Sequence, residues 1–98
     1  MIVEISAVPI GVGTSLSKYI AKVIEVLEKR GLKFELNPMG TVVEVNSFSE
    51  LCGLLEEIDR TLLDLGSERN YYVIKVDKKK SGGSMEQKVR SVMEKLGR

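Results

Sequence analysis

The stretch IVEISAVP at residues 2–9 decides the fold, because its side chains alternate between two sets of different character. The first set is Val3, Ile5 and Ala7, and the second is Ile2, Glu4, Ser6 and Val8. Successive side chains of a strand point to opposite faces, so this pattern predicts a strand with one face in a core. Pro9 has no amide hydrogen to donate and is expected to end the strand.

An amphipathic helix is predicted to follow the GVG turn of residues 11–13. Either Thr14 or Ser15 is positioned to cap its N-terminus, and Gly31 is a typical stop signal at its C-terminus. The apolar positions of this segment recur at the spacing of one helix face, and they are Leu16, Ile20, Val23, Ile24 and Leu27.

Two short strands, residues 32–37 and 41–46, are predicted next along the chain. The NPMG segment between them contains Pro38 and Gly40, which supply the backbone geometry of a tight turn. We therefore expect the two strands to pair as a hairpin.

Two more helices and one more strand complete the pattern. Ser47 and Glu50 have capping-box spacing ahead of a second helix, whose apolar face is Leu51, Leu54, Leu55, Ile58, Leu62 and Leu65, with Gly66 as its stop. The aromatic and β-branched run NYYVIKVD at residues 70–77 predicts a fourth strand. Ser84 and Gln87 repeat the capping box before a third helix, whose apolar positions are Met85, Val89, Val92, Met93 and Leu96.

The order of elements is therefore βαββαβ followed by a helix, within one domain that spans residues 1–98. With right-handed crossovers, two split βαβ units form a ferredoxin-like α+β sandwich on a four-stranded antiparallel sheet. In this fold the first strand lies between the third and the fourth, and the first two helices cover one face of the sheet.

Composition excludes several classes of function. The chain contains no histidine and one cysteine, Cys52, so it cannot form an internal disulfide or assemble the usual nitrogen and sulfur ligands of zinc. Catalysis that depends on histidine is excluded as well, and no cofactor or metal is expected. A net charge of +1 favours neither nucleic acid nor a membrane as partner, and no segment approaches a membrane span. We expect a cytoplasmic protein that acts by binding and is not an enzyme.

The sheet face that the first two helices leave open is expected to mix apolar and polar side chains. The apolar members of this face are Ile2, Val8, Val42 and Val73. They form more apolar surface than a solvated face of an antiparallel sheet normally carries, so a cover over this face is predicted.

Two interpretations of the polar groups on the open face are compatible with the pattern. One is a solvated charge cluster of Glu4, Glu44 and Lys75, shielded by the third helix or by another subunit. The other is a small-molecule pocket, in which Glu4 or Glu44 converges with Ser6, Asn37 and Thr41.

Four segments of the chain are similar to those of a known family. They are VPIG at residues 8–11, GLKFELNPMGTVVE at 31–44, Gly66 with Arg69, and EQKVRSV at 86–92. Together they resemble the thiamine-binding, YkoF-like family over nearly the whole chain. The resemblance implies a ferredoxin-like fold, homodimers or homotetramers assembled through the sheets, and binding of thiamine or its hydroxymethylpyrimidine part without catalysis.

The resemblance also implies a set of ligand-binding residues centred on the NPMGT turn. An apolar slot for a pyrimidine is expected from Val8, Met39 and Val42, and acceptors for its amino group from Ser6, Asn37 or Glu44. The full predicted set is Ser6, Val8, Asn37, Met39, Gly40, Thr41 and Glu44. Where the family commonly has a glycine after the glutamate of the third strand, this chain has Val45, so a pocket that differs or is closed is one expectation.

Two other functions stay open on the sequence. A regulatory or assembly module would use its sheet face to bind only protein chains. An enzyme would use Glu4 and Glu44 as general acid and base on a small substrate.

Overall fold

The computed structural model describes all residues from 1 to 98 and contains four strands and three helices. The strands are β1 (Ile2–Ile10), β2 (Phe34–Asn37), β3 (Gly40–Glu44) and β4 (Arg69–Asp77). The helices are α1 (Ser17–Lys29), α2 (Phe48–Asp64) and α3 (Met85–Lys95). None of the three helices combines the length and the apolarity that crossing a bilayer requires.

The four strands form one antiparallel sheet in the order β2-β3-β1-β4. This is the ferredoxin-like α+β arrangement, with the first strand between the third and the fourth, and it confirms the predicted fold. The two neighbours of β1 differ in extent. β4 pairs with β1 from Ile2 to Ile10, whereas β3 pairs with it only from Ile2 to Ile5.

The core lies between the sheet and the helices α1 and α2. Val3, Ile5 and Ala7 are buried, whereas Glu4 and Ser6 are only partly buried, so the predicted alternation of β1 is confirmed. The helices contribute the rest of the core, and its largest fully buried side chains are Leu27, Leu54, Ile58 and Leu62. Fully burying one such side chain contributes about 1.5–3 kcal/mol to stability.

Several predicted element boundaries are wrong. The hairpin strands are shorter than predicted, because β2 begins at Phe34 and β3 ends at Glu44. Strand β1 continues through Pro9 to Ile10, because beyond Ile5 one of its edges has no partner strand and a proline is tolerated there. Helix α1 begins at Ser17 with Leu16 at the N-cap position, and no side chain caps it, so neither Thr14 nor Ser15 has the predicted role.

The other two helix N-termini are capped as the sequence predicts. In α2 the Ser47 hydroxyl accepts a hydrogen bond from the Glu50 amide at 3.1 Å. In α3 Ser84 and Gln87 form a complete capping box. The first amide of α3 also donates to a carboxylate of the sheet, because Met85 N lies 2.6 Å from Glu44 Oε1.

Candidate functional site

A cavity of about 220 Å³ opens at the end of the sheet where β3 stops pairing with β1. Past Ile5, the edge of β1 has no neighbouring strand on the β3 side. The tip of the β2–β3 hairpin, this edge of β1 and one side of α1 enclose the space. We call it the hairpin cavity. Its lining is Ile5, Ser6, Ala7, Val8, Leu16, Ile20, Val23, Leu27, Leu36, Asn37, Pro38, Met39, Gly40, Thr41, Val43 and Ile58.

Gly40 allows the hairpin to approach β1 closely beside the cavity. A side chain at this position would place its Cβ 3.3 Å from Glu4 Cγ and 3.3 Å from the carbonyl oxygen of Ile5. Both distances are shorter than ordinary van der Waals contact. A glycine at the first residue of β3 therefore sets how near the hairpin tip lies to the free edge of β1.

The lining of the hairpin cavity is mainly apolar and contains no charged side chain. Leu27 and Ile58, which are almost fully buried, form its inner end. The outer rim includes Met39 and Leu36, whose exposed fractions are 87% and 57%. An apolar cavity with a few polar groups is the usual composition of a small-molecule site.

Three polar side chains face this apolar space, and Thr41 is the most deeply buried of them. Thr41 is only 7% exposed, and its hydroxyl forms no hydrogen bond within the protein. Because no side-chain polar atom is fully buried without a partner, this hydroxyl has access to the cavity.

Ser6 and Asn37 are the other two polar groups of the lining. The Ser6 hydroxyl is partly buried and forms no hydrogen bond within the protein. The Asn37 amide nitrogen makes one long contact of 3.5 Å with the carbonyl oxygen of Glu35, which leaves its carboxamide oxygen free. Donors and acceptors are therefore available to a ligand at several points of the wall.

The structure brings six of the seven predicted site residues together. Ser6, Val8, Asn37, Met39, Gly40 and Thr41 all line the hairpin cavity. Glu44 does not, because it lies at the opposite end of β3 and accepts the hydrogen bond from the first amide of α3. Val42, proposed for the apolar slot, is also outside the lining.

The location of the cavity differs from the one predicted on the open face of the sheet. Its lining includes residues that point toward the helices, such as Ala7 and Val43, beside Ser6 and Val8 that point the other way. Both kinds are accessible together because the space lies at the free edge of β1, where the two faces of the strand meet. Sequence alternation assigns a residue to a face and carries no information about such an edge.

Ten of the lining residues are absent from the predicted set, and Leu16, Ile20, Leu36 and Pro38 are among them. Leu16 and Ile20 were assigned to the apolar face of the first helix, and that assignment is compatible with a cavity wall as well as with a core. Leu36 precedes the predicted NPMG turn, and Pro38 lies within it. Whether they line the cavity depends on where the hairpin ends relative to β1, and no local pattern in the sequence predicts that position.

A hydrogen-bonded cluster joins α2 to β4 beside the cavity. The hydroxyl of Tyr72 donates to Asp59 Oδ1 at 2.5 Å, and the Asn70 amide donates to the same oxygen at 2.8 Å. These bonds hold the pKa of Asp59 below its ordinary value. Burial and the neighbouring Asp59 carboxylate raise the pKa of Tyr72 above its ordinary value. Tyr72 pairs with Ala7 across the sheet, so the cluster supports a strand of the cavity wall.

The acidic side chains lie outside the lining of the hairpin cavity. No three histidine, cysteine, aspartate or glutamate side chains lie close enough to hold a metal ion. Of the two glutamates considered for proton transfer, Glu4 lies against Gly40 and Glu44 caps α3. Neither one lines the cavity.

Comparison with known proteins identifies the family to which this chain is related. The family model described as thiamine-binding protein matches residues 3–93. The chain belongs to the thiamine-binding protein family. A UPF0045 protein of Methanothermobacter thermautotrophicus is 34% identical over 95 residues, which cover 95% of this chain and 96% of that protein.

Two solved structures share the fold of this family member. A hypothetical protein of Methanocaldococcus jannaschii has a TM-score of 0.83 and 36% identity, covering 95% of each chain. A candidate thiamine biosynthesis or salvage protein of Thermotoga maritima has a TM-score of 0.79 and 30% identity. The match covers 93% of this chain and 96% of the Thermotoga protein.

Val45, the departure from the family pattern, does not close the hairpin cavity. Its side chain is 3% exposed and belongs to the core cluster, and it is not part of the cavity lining. Its carbonyl oxygen accepts a hydrogen bond of 2.7 Å from the N-terminal ammonium of Met1. In this chain the valine therefore contributes to packing near the start of β1.

Proposed function

We propose that the protein binds thiamine, or the hydroxymethylpyrimidine part of it, in the hairpin cavity without catalysing a reaction. The observation that carries the proposal is the Thr41 hydroxyl, which lies deep in an apolar, uncharged space and has no partner within the protein. Because this hydroxyl is unpaired and open to the cavity, a ligand that bonds to it gains a hydrogen bond that contributes about 0.5–1.5 kcal/mol. We place the complex in the cytoplasm.

The chemistry of the lining matches that of an aminopyrimidine. The flat ring has two apolar faces, which Ala7, Val8 and Leu36 are placed to contact. Its edge carries an amino donor and ring-nitrogen acceptors, and the hydroxyls and the carboxamide of Ser6, Asn37 and Thr41 supply complementary groups. Membership of the thiamine-binding protein family supports the same ligand class.

A binding role agrees with the groups that the cavity contains. General acid–base catalysis needs a side chain that gains or loses a proton within hydrogen-bond reach of the substrate. The lining contains serine, threonine and asparagine as its polar side chains, and no carboxylate, amine or phenol. The arrangement suits a neutral ring such as the pyrimidine of thiamine and offers no group to transfer a proton at neutral pH.

Calorimetric titration with thiamine and with hydroxymethylpyrimidine tests the proposal. Ala7→Leu adds bulk inside the cavity and is expected to abolish binding, whereas Ala21→Leu makes the same change on the exposed side of α1 and serves as the control. Binding in the wild type and in Ala21→Leu, with loss in Ala7→Leu, supports the site. Absence of heat and of a thermal shift with either ligand at millimolar concentration removes the proposal.

We further propose that the protein works as a homo-oligomer, a dimer or a tetramer. The exposed side of α3 carries Val89, Val92, Met93 and Leu96, each 42–59% exposed. Strand β4 adds the exposed side chains of Tyr71 and Val73 on the sheet face opposite the core. An apolar surface of this kind on a small domain is typical of a protein–protein interface.

The same surface supports a second function, that of an assembly module that binds only protein chains. Both this module and a thiamine-binding protein would self-associate, so the mass of the oligomer does not distinguish the two functions. The titration does, because an assembly module forms its oligomer and gives no heat with either small molecule.

A further inference from the structure

We infer that the hairpin cavity selects the free, uncharged hydroxymethylpyrimidine over its phosphate ester and over thiamine and thiamine diphosphate. The inference rests on the proposed function, and it specifies the form of the ligand that the cavity admits. Three features of the cavity carry it, namely its size, the absence of charge in its lining, and the chemistry of its rim.

The size of the cavity fits one ring better than two. Pockets that enclose drug-sized ligands measure roughly 300–1,000 Å³, and the hairpin cavity measures about 220 Å³. Its inner end is closed by Leu27 and Ile58, which are almost fully buried and belong to the core cluster. A second ring joined to the pyrimidine therefore has to remain outside the enclosed volume.

The absence of charge disfavours a phosphate or a cation inside the cavity. None of the lining residues is a lysine, an arginine or an acidic residue. A charged group that leaves water without gaining a partner of opposite charge pays a large desolvation cost. The three polar side chains of the lining are neutral, and they suit a neutral donor or acceptor.

The rim residues Leu36 and Met39 provide no ionic partner to a charged group that remains outside. Met39 and Leu36 are apolar and strongly exposed. One charged side chain that packs against the lining is Glu4, next to Gly40, and a carboxylate disfavours a phosphate nearby. Lys33, which lies at the other end of the hairpin, forms an ion pair with Glu86 at 2.6 Å.

Titration with four pure ligands at neutral pH tests the inference: hydroxymethylpyrimidine, its phosphate ester, thiamine and thiamine diphosphate. We expect hydroxymethylpyrimidine, the free alcohol, to bind most tightly. Its phosphate ester should bind at least about tenfold more weakly, a difference of about 1.4 kcal/mol in binding free energy. Thiamine, whose second ring stays outside the cavity, is expected to bind more weakly than the free alcohol. Thiamine diphosphate is expected to bind more weakly than thiamine.

A charge introduced at the rim tests the electrostatic reason. Leu36→Lys places a cation at the cavity opening and is expected to raise the affinity of the ester relative to that of the alcohol. Leu63→Lys makes the same change on the exposed side of α2 and is expected to leave this ratio unchanged. An unchanged ratio in Leu36→Lys contradicts the electrostatic argument.

The outcomes separate this inference from the proposed function. If the ester or thiamine diphosphate binds as tightly as the free alcohol, the inferred selectivity is wrong, and the proposed binding of thiamine or its pyrimidine part stands. If thiamine binds more tightly than the free alcohol, the single-ring argument is wrong and the function again stands. If none of the four ligands binds, both the inference and the function fall.

Discussion

Among the side chains of the cavity, Thr41 allows the sharpest test of ligand contact. Thr41→Val replaces the hydroxyl with a methyl group of similar size. Because this hydroxyl has no partner in the free protein, we expect the free energy of unfolding to stay the same or to rise slightly. Ligand affinity should fall about three- to tenfold, the loss of one buried hydrogen bond. Titration calorimetry and urea unfolding measure the two quantities.

The matched control for this substitution is Thr61→Val in α2. Its hydroxyl donates to the carbonyl oxygen of Glu57 at 2.8 Å and lies outside the cavity. Affinity should therefore be unchanged in Thr61→Val. A Thr41→Val protein that binds as tightly as the wild type would show that the ligand makes no hydrogen bond to this hydroxyl.

The pair Asp59 and Tyr72 predicts how stability depends on pH. The pKa of Asp59 is lowered, so its contribution is present above its ordinary pKa of about 3.9 and is lost as pH falls through the folded value. The pKa of Tyr72 is raised, so its contribution is present below its ordinary pKa of about 10 and is lost as pH rises above that. Tyr72→Phe should therefore reduce both the loss of stability at acid pH and the loss at alkaline pH.

Urea unfolding of the wild type and of Tyr72→Phe between acid and alkaline pH measures this effect. At neutral pH the variant should be about 1–3 kcal/mol less stable, because a hydrogen bond to a charged group is lost. Tyr71→Phe is the control, since the Tyr71 side chain is exposed and its hydroxyl forms no hydrogen bond within the protein. Equal pH profiles for Tyr72→Phe and the wild type would contradict the assigned role.

Among the elements, α3 is attached to the sheet by few contacts, one of which is an exposed ion pair of Lys88 with Asp77 on β4. Its first amide donates to Glu44, and Met85 is its one buried residue. Glu44→Ala removes the acceptor and the negative charge near the helix N-terminus, so α3 should open more easily by about 1–3 kcal/mol. Hydrogen exchange of the α3 amides measures the opening, with Glu28→Ala on the exposed side of α1 as the control. Ligand affinity should not change, and a loss of affinity would return Glu44 to the binding site.

The elements themselves were predictable, whereas the spaces between them were not. Alternation in residues 2–9 predicts both faces of β1, and capping-box spacing predicts where α2 and α3 begin. The sequence does not indicate how far β3 pairs along β1. The cavity exists because this pairing ends at Ile5. The alternation of β3 and the family resemblance both predict Glu44 as a ligand contact, whereas in the structure the start of α3 lies against it.

For the molecule as a whole, the exposed apolar side of α3 predicts self-association. The wild-type protein should have a mass that is a multiple of 10.9 kDa in light scattering after gel filtration. Val92→Glu introduces a charge on the apolar side and should shift the mass toward one chain, because burying an unpaired carboxylate is costly. Ser91→Glu introduces the same charge on the opposite side of α3 and should leave the mass unchanged.

The Val92→Glu variant also shows whether assembly contributes to the cavity. The hairpin cavity is lined by one chain and lies at the end of the sheet away from the start of α3. A monomeric variant should therefore bind hydroxymethylpyrimidine with the affinity of the wild type, and circular dichroism establishes that it remains folded. Monomers that are folded but no longer bind would mean that a second chain completes the site, and a wild-type mass of one chain would contradict the oligomer.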